Sequence, residues 1–184
     1  MAEVKILVEG YTSAESSEER TCCTITLVKD KGIIMVVDPG TLRDQKILVG
    51  ALRKESLSIN DVNVVCITHS HMDHYRNIGM FPKARAIDYW GIWEGDYVED
   101  VKPQLSKDIQ IIKTPGHNYD GIALLVKTDK GIVAVCGDVF WKENYPKDDP
   151  YASDKKKLEE SRKKLLGMAD WIIPGHGKMF KVSK

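Results

Sequence analysis

The 184 residues carry 27 basic and 27 acidic side chains, so the formal net charge is zero. Proteins that live on nucleic acid usually carry a basic excess, so this balance counts against a broad phosphate-binding surface, though not against a local basic groove. With 42% hydrophobic and 29% charged residues, the composition is that of an ordinary soluble chain, long enough to bury a substantial core as one domain, 1–184.

Met1–Gly10 (MAEVKILVEG) lacks a basic leader, an apolar run and a small-residue cleavage site, which argues against a secretory signal. No apolar run approaches bilayer length, so no membrane association is expected. Cys22 and Cys23 are adjacent, and Cys66 and Cys136 lie inside apolar runs. That pattern suits buried free thiols in a reducing compartment, so the expected location is cytoplasmic, with nuclear entry open to a eukaryotic chain.

Val4–Gly10 predicts a first strand, and the polar stretch Tyr11–Arg20 an exposed loop. Thr21–Lys29 and Gly32–Asp38, rich in β-branched residues around Asp30-Lys31, predict a hairpin. Pro39-Gly40 turns the chain, and Thr41 with Asp44 resembles a capping box for a helix from Leu42 to Lys54. Val62–Thr68 is a continuous apolar run, the mark of a strand buried on both faces. Further strands are predicted at Ala84–Asp88, Ile109–Thr114, Ile122–Thr128, Ile132–Cys136 and Ala169–Pro174. Ser153 or Asp154 caps a charged helix to Met168, with Leu158, Leu165 and Leu166 facing inward. Read alone, this series is α/β, with helices outside packed sheets.

The five histidines are His69, His71, His74, His117 and His176. Three fall in His69-Ser70-His71-Met72-Asp73-His74, directly after a predicted strand. In an extended segment residues i and i+2 point the same way, so His69 and His71 can face one site. A turn into a helix then aims Asp73 and His74 beside it. Imidazole and carboxylate are the ligands zinc uses where an open position is left for water. Unrelated surface histidines explain a lone imidazole, but so many packed together would repel when charged. His117 (in TPGH), His176 (in PGH) and Asp138 (in CGD) also follow predicted strands, in loops where glycine permits close approach. Asp138 taken singly reads equally well as a turn aspartate. Asp38 ends a strand and suits an acceptor for a ligand histidine's free N–H.

HSHMDH, TPGH, GD and PGH, in that order after a strand ending in Asp38-Pro39-Gly40, resemble the metallo-β-lactamase superfamily from Asp38 to His176. The resemblance implies an αββα sandwich, two mixed β-sheets flanked by helices, with metals at one edge. It implies a first zinc on His69, His71 and His117, a second on Asp73, His74 and His176, and Asp138 as the bridge; iron or manganese would suit the same ligands. LVEGYTSAESSEERTC, NIGMFPKA, GDVFW and ESRKKLLGMADWIIPGHG are further similar to a compact single-domain subgroup associated with RNA endonuclease activity on histone pre-mRNA 3′ ends. Asn118-Tyr119-Asp120-Gly121 departs from the Ser/Thr-Pro-Gly of many hydrolases in the superfamily. With eight residues after His176, no C-terminal helical domain of the glyoxalase II kind and no RNA-clamping insertion is expected.

Two cations lower the pKa of a shared water to near neutrality, so a hydroxide bridging the two metals is the expected nucleophile, with Asp73 orienting it. The resemblance implies an RNA phosphodiesterase. The compact uncharged scaffold equally permits hydrolysis of small esters, thioesters or lactones, and a non-hydrolytic iron or zinc protein is the reading from another class. The substrate is thus RNA or a small molecule, and a homodimer is left open. Trp141, close after GDVF, belongs near the metal edge; it and Tyr89, Trp90, Trp93, Tyr97 and Tyr145 read either as packing mass or as stacking platforms. Lys155–Lys157 with Arg162–Lys164 read as the solvated face of a helix rather than a phosphate track.

Overall fold

β-branched runs account for most of the strands in the computed structural model, which describes residues 1–13 and 20–183. The first sheet collects β1 (Glu3–Val8), β4 (Ile25–Asp30), β5 (Ile33–Val37), β6 (Val64–Cys66), β7 (Arg85–Ile87), β8 (Ile92–Glu94) and β9 (Tyr97–Glu99), in that spatial order. The second collects β10 (Ile109–Lys113), β11 (Ile122–Thr128), β12 (Gly131–Val135), β13 (Trp171–Ile173) and β14 (Phe180–Lys181). A short ladder joins β2 (Tyr11–Thr12) to β3 (Thr21–Cys22).

The sheets pack face to face. Met35, Val37, Val64 and Cys66 of the first meet Leu124, Val126, Val133 and Val135 of the second in one core. Because strand side chains alternate, the intervening residues face outward. Val36 and Val65 are covered by Leu48 and Leu52 of α1 (Lys46–Lys54). Ala123, Leu125 and Ala134 are covered by Leu158 and Leu165 of α3 (Lys155–Met168). The result is the αββα sandwich, and it explains why the central strands read as unbroken apolar runs. Each fully buried leucine contributes about 1.5–3 kcal/mol, so four of them suffice to fix both helices on their sheets.

Several expectations are corrected. α1 starts at Lys46 instead of Leu42, because the Thr41 hydroxyl donates to Met72 O (3.1 Å) instead of capping a helix. The predicted strand Thr21–Lys29 breaks at Cys23-Thr24, where Thr24 N–H donates to Gly175 O. Tyr11–Thr12 is strand rather than loop, and residues 14–19 of that predicted loop lie outside the described residues. Leu166 is exposed, and Ser161 and Arg162 take the inner face with Leu158 and Leu165. Arg162 leaves the predicted solvated stripe: its guanidinium donates to Val139 O (3.0 Å) and Pro146 O (2.9 Å), pinning the loop after β12. Asp154 is the cap of α3, accepting from Lys157 N–H at 3.0 Å. β8, β9 and β14 were not predicted.

All four cysteines are free and buried, and burial pushes the Cys23, Cys66 and Cys136 thiols up. Native protein at pH 8 is therefore expected to alkylate at these three positions at least ~100-fold more slowly than denatured protein. Labelling at comparable rates in mass spectrometry would contradict their burial. Among the described residues, no helix is long and apolar enough to cross a membrane.

Candidate metal centre

Every side chain singled out for metal chemistry leaves from the carboxyl end of a strand. β5 pairs parallel with β6, and β12 with β13, so their carboxyl ends lie side by side. The first pair sets Asp38 beside the His69–His74 loop, and the second sets Asp138 beside His176. His117 joins them from the end of β10. His71 opens the short helix α2 (Met72–Tyr75) from an extended conformation, which turns Asp73 and His74 inward.

The structure brings all seven residues together in two groups. Ligand atoms of His69, His71, His117 and Asp138 lie within 4.8 Å of one another, as do those of Asp73, His74 and His176. His71 Nδ1 is 3.0 Å from His69 Nε2 and 3.0 Å from His117 Nε2. Asp138 faces both groups: Oδ2 is 3.3 Å from His117 Nε2 and 3.2 Å from His176 Nε2, and Oδ1 is 3.2 Å from His74 Nε2. Gly175 makes this closeness possible, since a Cβ there would fall 1.8 Å from Asp138 Oδ1.

The outer ring nitrogens decide where the protons sit. His74 Nδ1 donates to Asp38 Oδ2 (2.8 Å), and His117 Nδ1 to Asp149 Oδ2 (2.7 Å). His176 Nδ1 donates to Cys22 O (3.1 Å). His69 Nδ1 meets Thr68 Oγ1 (3.1 Å), whose own hydrogen goes to Asp38 Oδ2 (2.7 Å). With a proton held on that outer side, the inner nitrogen of each ring is the one that can offer its lone pair to a cation. Burial pushes the His69 and His71 pKa values down, helped by the neighbouring histidines and opposed by Asp138. Burial also opposes charge on His74 and His176, but Asp138, with Asp38 beside one and Asp73 beside the other, overcomes it and raises both. Asp138 resists ionisation through burial, yet His176 and His74 hold it well below the usual carboxylate range.

These residues fit metal. His74 Nε2 and Asp138 Oδ1 are buried, and their orientation leaves both without a hydrogen bond. Such orphaned polar atoms are costly unless something binds them. Tetrahedral bonds of about 2.0–2.2 Å separate ligand atoms by roughly 3.3–3.5 Å, close to the observed spacings. The cluster is able to bind metal.

Its open side, with half-buried His71 and Asp73, faces a cavity of about 210 Å³ that Arg20, Thr21, Trp141 and Tyr151 also line. Trp141 is buried, stacked on Tyr151 (5.7 Å between centroids, 22°) and edge-on to His117, so it packs the wall. Thr21, Thr68, Asp149 and Tyr151 were missed by sequence reasoning. The Thr21 hydroxyl donates to Asp73 Oδ2 at 2.7 Å, a contact between residues 52 apart that no local pattern announces.

The family model described as the metallo-β-lactamase superfamily matches residues 22–102. Metallo-β-lactamase domain-containing protein 1 of Xenopus laevis is 31% identical across 98% of this chain and 82% of its own. A probable metallo-hydrolase of Methanocaldococcus jannaschii is 32% identical across 94% of this chain and 86% of its own. Other curated relatives are longer, and the chain spans 49% to 63% of their length. A crystal structure from Thermotoga maritima assigned to the metallo-β-lactamases superposes with a TM-score of 0.77 over 98% of this chain and 99% of that one, at 21% identity. With this relatedness, this fold and this cluster, the chain belongs to the metallo-β-lactamase superfamily of metal-dependent hydrolases.

Proposed function

We infer that the protein hydrolyses a small ester, thioester or lactone with two zinc ions. His69, His71 and His117 would hold the first, Asp73, His74 and His176 the second, and Asp138 both. What carries this reading is Asp138, whose two oxygens reach donor atoms of both groups at 3.2–3.3 Å. When bound, the pair supplies a water acidified to near neutrality and a Lewis acid for the carbonyl oxygen.

The chain's own residues do the rest. Asp73 Oδ2 accepts the Thr21 hydroxyl, and Oδ1 meets no donor among the described residues, so it can accept a hydrogen bond from water and orient it. Trp141 stacked on Tyr151 gives the cavity an apolar wall that excludes bulk water and strengthens every electrostatic interaction inside. A small substrate is favoured over RNA by the modest cavity and by the zero net charge, which counts against a broad phosphate-binding surface.

Protein prepared without added metal should carry about two equivalents of zinc by elemental analysis. After zinc loading, it should turn over thioester or lactone at least ~100-fold faster than a phosphodiester or single-stranded RNA assayed in parallel. The opposite preference would replace this substrate class with the phosphodiester one, and stoichiometry near one would sink the two-ion reading.

Asp149 bears on the first group. Its buried carboxylate accepts His117 Nδ1–H, fixing the ring's tautomer and orientation. Asp149→Asn is expected to weaken zinc binding there by about 10–100-fold, measured by competition with a chromophoric chelator. Unchanged affinity would show that the contact is only structural.

A further inference from the structure

His69 and Ser70 also border a separate recess of about 240 Å³. Its walls include the rings of Tyr75, Tyr89 and Trp90, and the carboxyl groups of Asp88 and Asp120. Among the described residues, neither lysine nor arginine lines it.

Asp120 is the decisive group. It is 4% exposed, and among the described residues its one side-chain hydrogen bond comes from Ser70 N–H to Oδ1 at 3.4 Å, the long limit of such contacts. Oδ2 accepts from no described residue. Oδ2 is not sealed from solvent, so it is free to take a donor that enters the recess, and a largely buried carboxylate with few donors gains from a cationic one. Asp88 is arranged differently and to the same end. Its Oδ1 accepts Trp90 N–H (2.8 Å), Gly91 N–H (3.0 Å) and Trp93 Nε1–H (3.0 Å), which fix the group, while Oδ2 takes no donor among the described residues.

The aromatic wall supplies the second half. Trp90 is 59% exposed, a large ring left at the surface. It meets Tyr89 edge to face (5.1 Å, 79°) and Tyr119, itself exposed, at 6.4 Å. Such rings attract cations through their electron-rich faces, and Tyr89 already does so, with Lys113 Nζ 3.9 Å from its centroid.

The chemistry narrows the occupant. Two carboxylates repel a phosphate or carboxylate ligand. An uncharged apolar tail would leave Asp120 both dry and unpaired. A bare divalent cation wants six or more oxygen ligands, and apolar rings cannot supply them. We propose that this recess binds the ammonium group of a small organic molecule, with Asp120 and Asp88 as counter-charges and Trp90 and Tyr89 as its aromatic walls. The ammonium belongs either to the substrate itself, reaching past His69 from the metal cluster, or to a separate ligand.

Choline and its uncharged isostere 3,3-dimethylbutan-1-ol are the probes, titrated by calorimetry into the whole protein with and without zinc. Choline is expected to bind saturably at least ~10-fold tighter than the alcohol in both states, a ratio worth about 1.4 kcal/mol. Asp120→Asn and Trp90→Ala should each weaken choline by at least ~10-fold and leave the alcohol unchanged. Because Trp90 is exposed, its variant keeps the test valid if Asp120→Asn fails to fold. Equal affinity for the two probes, no saturable choline binding, or wild-type affinity in a folded Trp90→Ala variant overturns the proposal.

Kinetics separate the two sources. If choline acetate is hydrolysed at least ~10-fold more efficiently than 3,3-dimethylbutyl acetate, the ammonium is the substrate's own; if choline binds but the two esters react alike, it belongs to a separate ligand. Choline binding without hydrolysis of any carbonyl substrate would uphold the recess and reject the proposed function.

Discussion

Asp138→Asn is expected to empty both halves of the metal centre and to lower hydrolysis by about three orders of magnitude or more. Asp138 spans the two groups: Oδ2 faces His117 Nε2 of one and His176 Nε2 of the other, and Oδ1 faces His74 Nε2. Asparagine keeps the shape but replaces one oxygen with an NH2 that donates where a cation must sit, and it removes the negative charge that would balance the bound cations. Substitution of a residue in one group has a narrower reach. Asp73→Ala and His71→Ala should abolish turnover with the fold retained, yet each should spare metal in the group it does not belong to. Elemental analysis of the three purified variants, with circular dichroism to check folding, makes the comparison. If Asp138→Asn retains two zinc ions at wild-type affinity, the shared-ligand assignment fails. Should either single-group variant keep near-wild-type turnover, its assigned role is wrong.

Gly116→Ala should be the most damaging small substitution to the fold, at about 3 kcal/mol or more, or roughly 6–12 °C in melting temperature for a chain of this size. Gly116 has φ +137°, and a Cβ there would fall 2.1 Å from Leu158 N and 2.3 Å from Leu158 Cα. These are backbone atoms of the first turn of α3, so nothing can rotate out of the way. Neighbouring contacts lock the same place: Gly116 O accepts from Asp154 N–H (2.9 Å) and the Ser153 hydroxyl (3.1 Å), and the Ser161 hydroxyl donates to Pro115 O (2.7 Å). The loop that carries His117 is thus clamped to the helix, and displacing it should weaken metal binding as well as stability. Gly50→Ala is the control. It lies inside α1 with nothing within 4 Å of the added carbon, so it should stabilise by about 0.5–1 kcal/mol. Thermal melts of both variants, with and without zinc, test the contrast, and equal melting temperatures would refute it.

The His69–His74 part of the cluster was legible in the sequence because it is coded locally, whereas His117, Asp138 and His176 were joined to it partly through the resemblance in motif order. Each follows a β-branched strand, and the His69–His74 segment carries its own geometry, with an extended pair followed by a helical turn. The two-faced burial of Val64–Cys66 was legible for the same reason, since every residue in the run is apolar. β8 and β9 were not, because at the edge of the sheet only Ile92 is buried, and Trp93, Glu94, Tyr97 and Val98 are exposed, which erases the apolar alternation.

Short-range pattern in the sequence determined the α/β class and the candidate ligands of the His69–His74 segment, and resemblance in motif order supplied the layered fold and the remaining candidates. Tertiary structure alone decided what supports and surrounds the cluster. Asp149 sits in a polar stretch that reads as solvated, yet meets His117 across 32 residues. Arg162 resembles its charged neighbours on α3 and instead holds the loop 23 residues before it. Asp120, noted in the sequence only for its place in a departing segment, accepts from Ser70 N–H, 50 residues away. A polar residue's role depends on which partner folding brings to it, and no local pattern records a partner that distant.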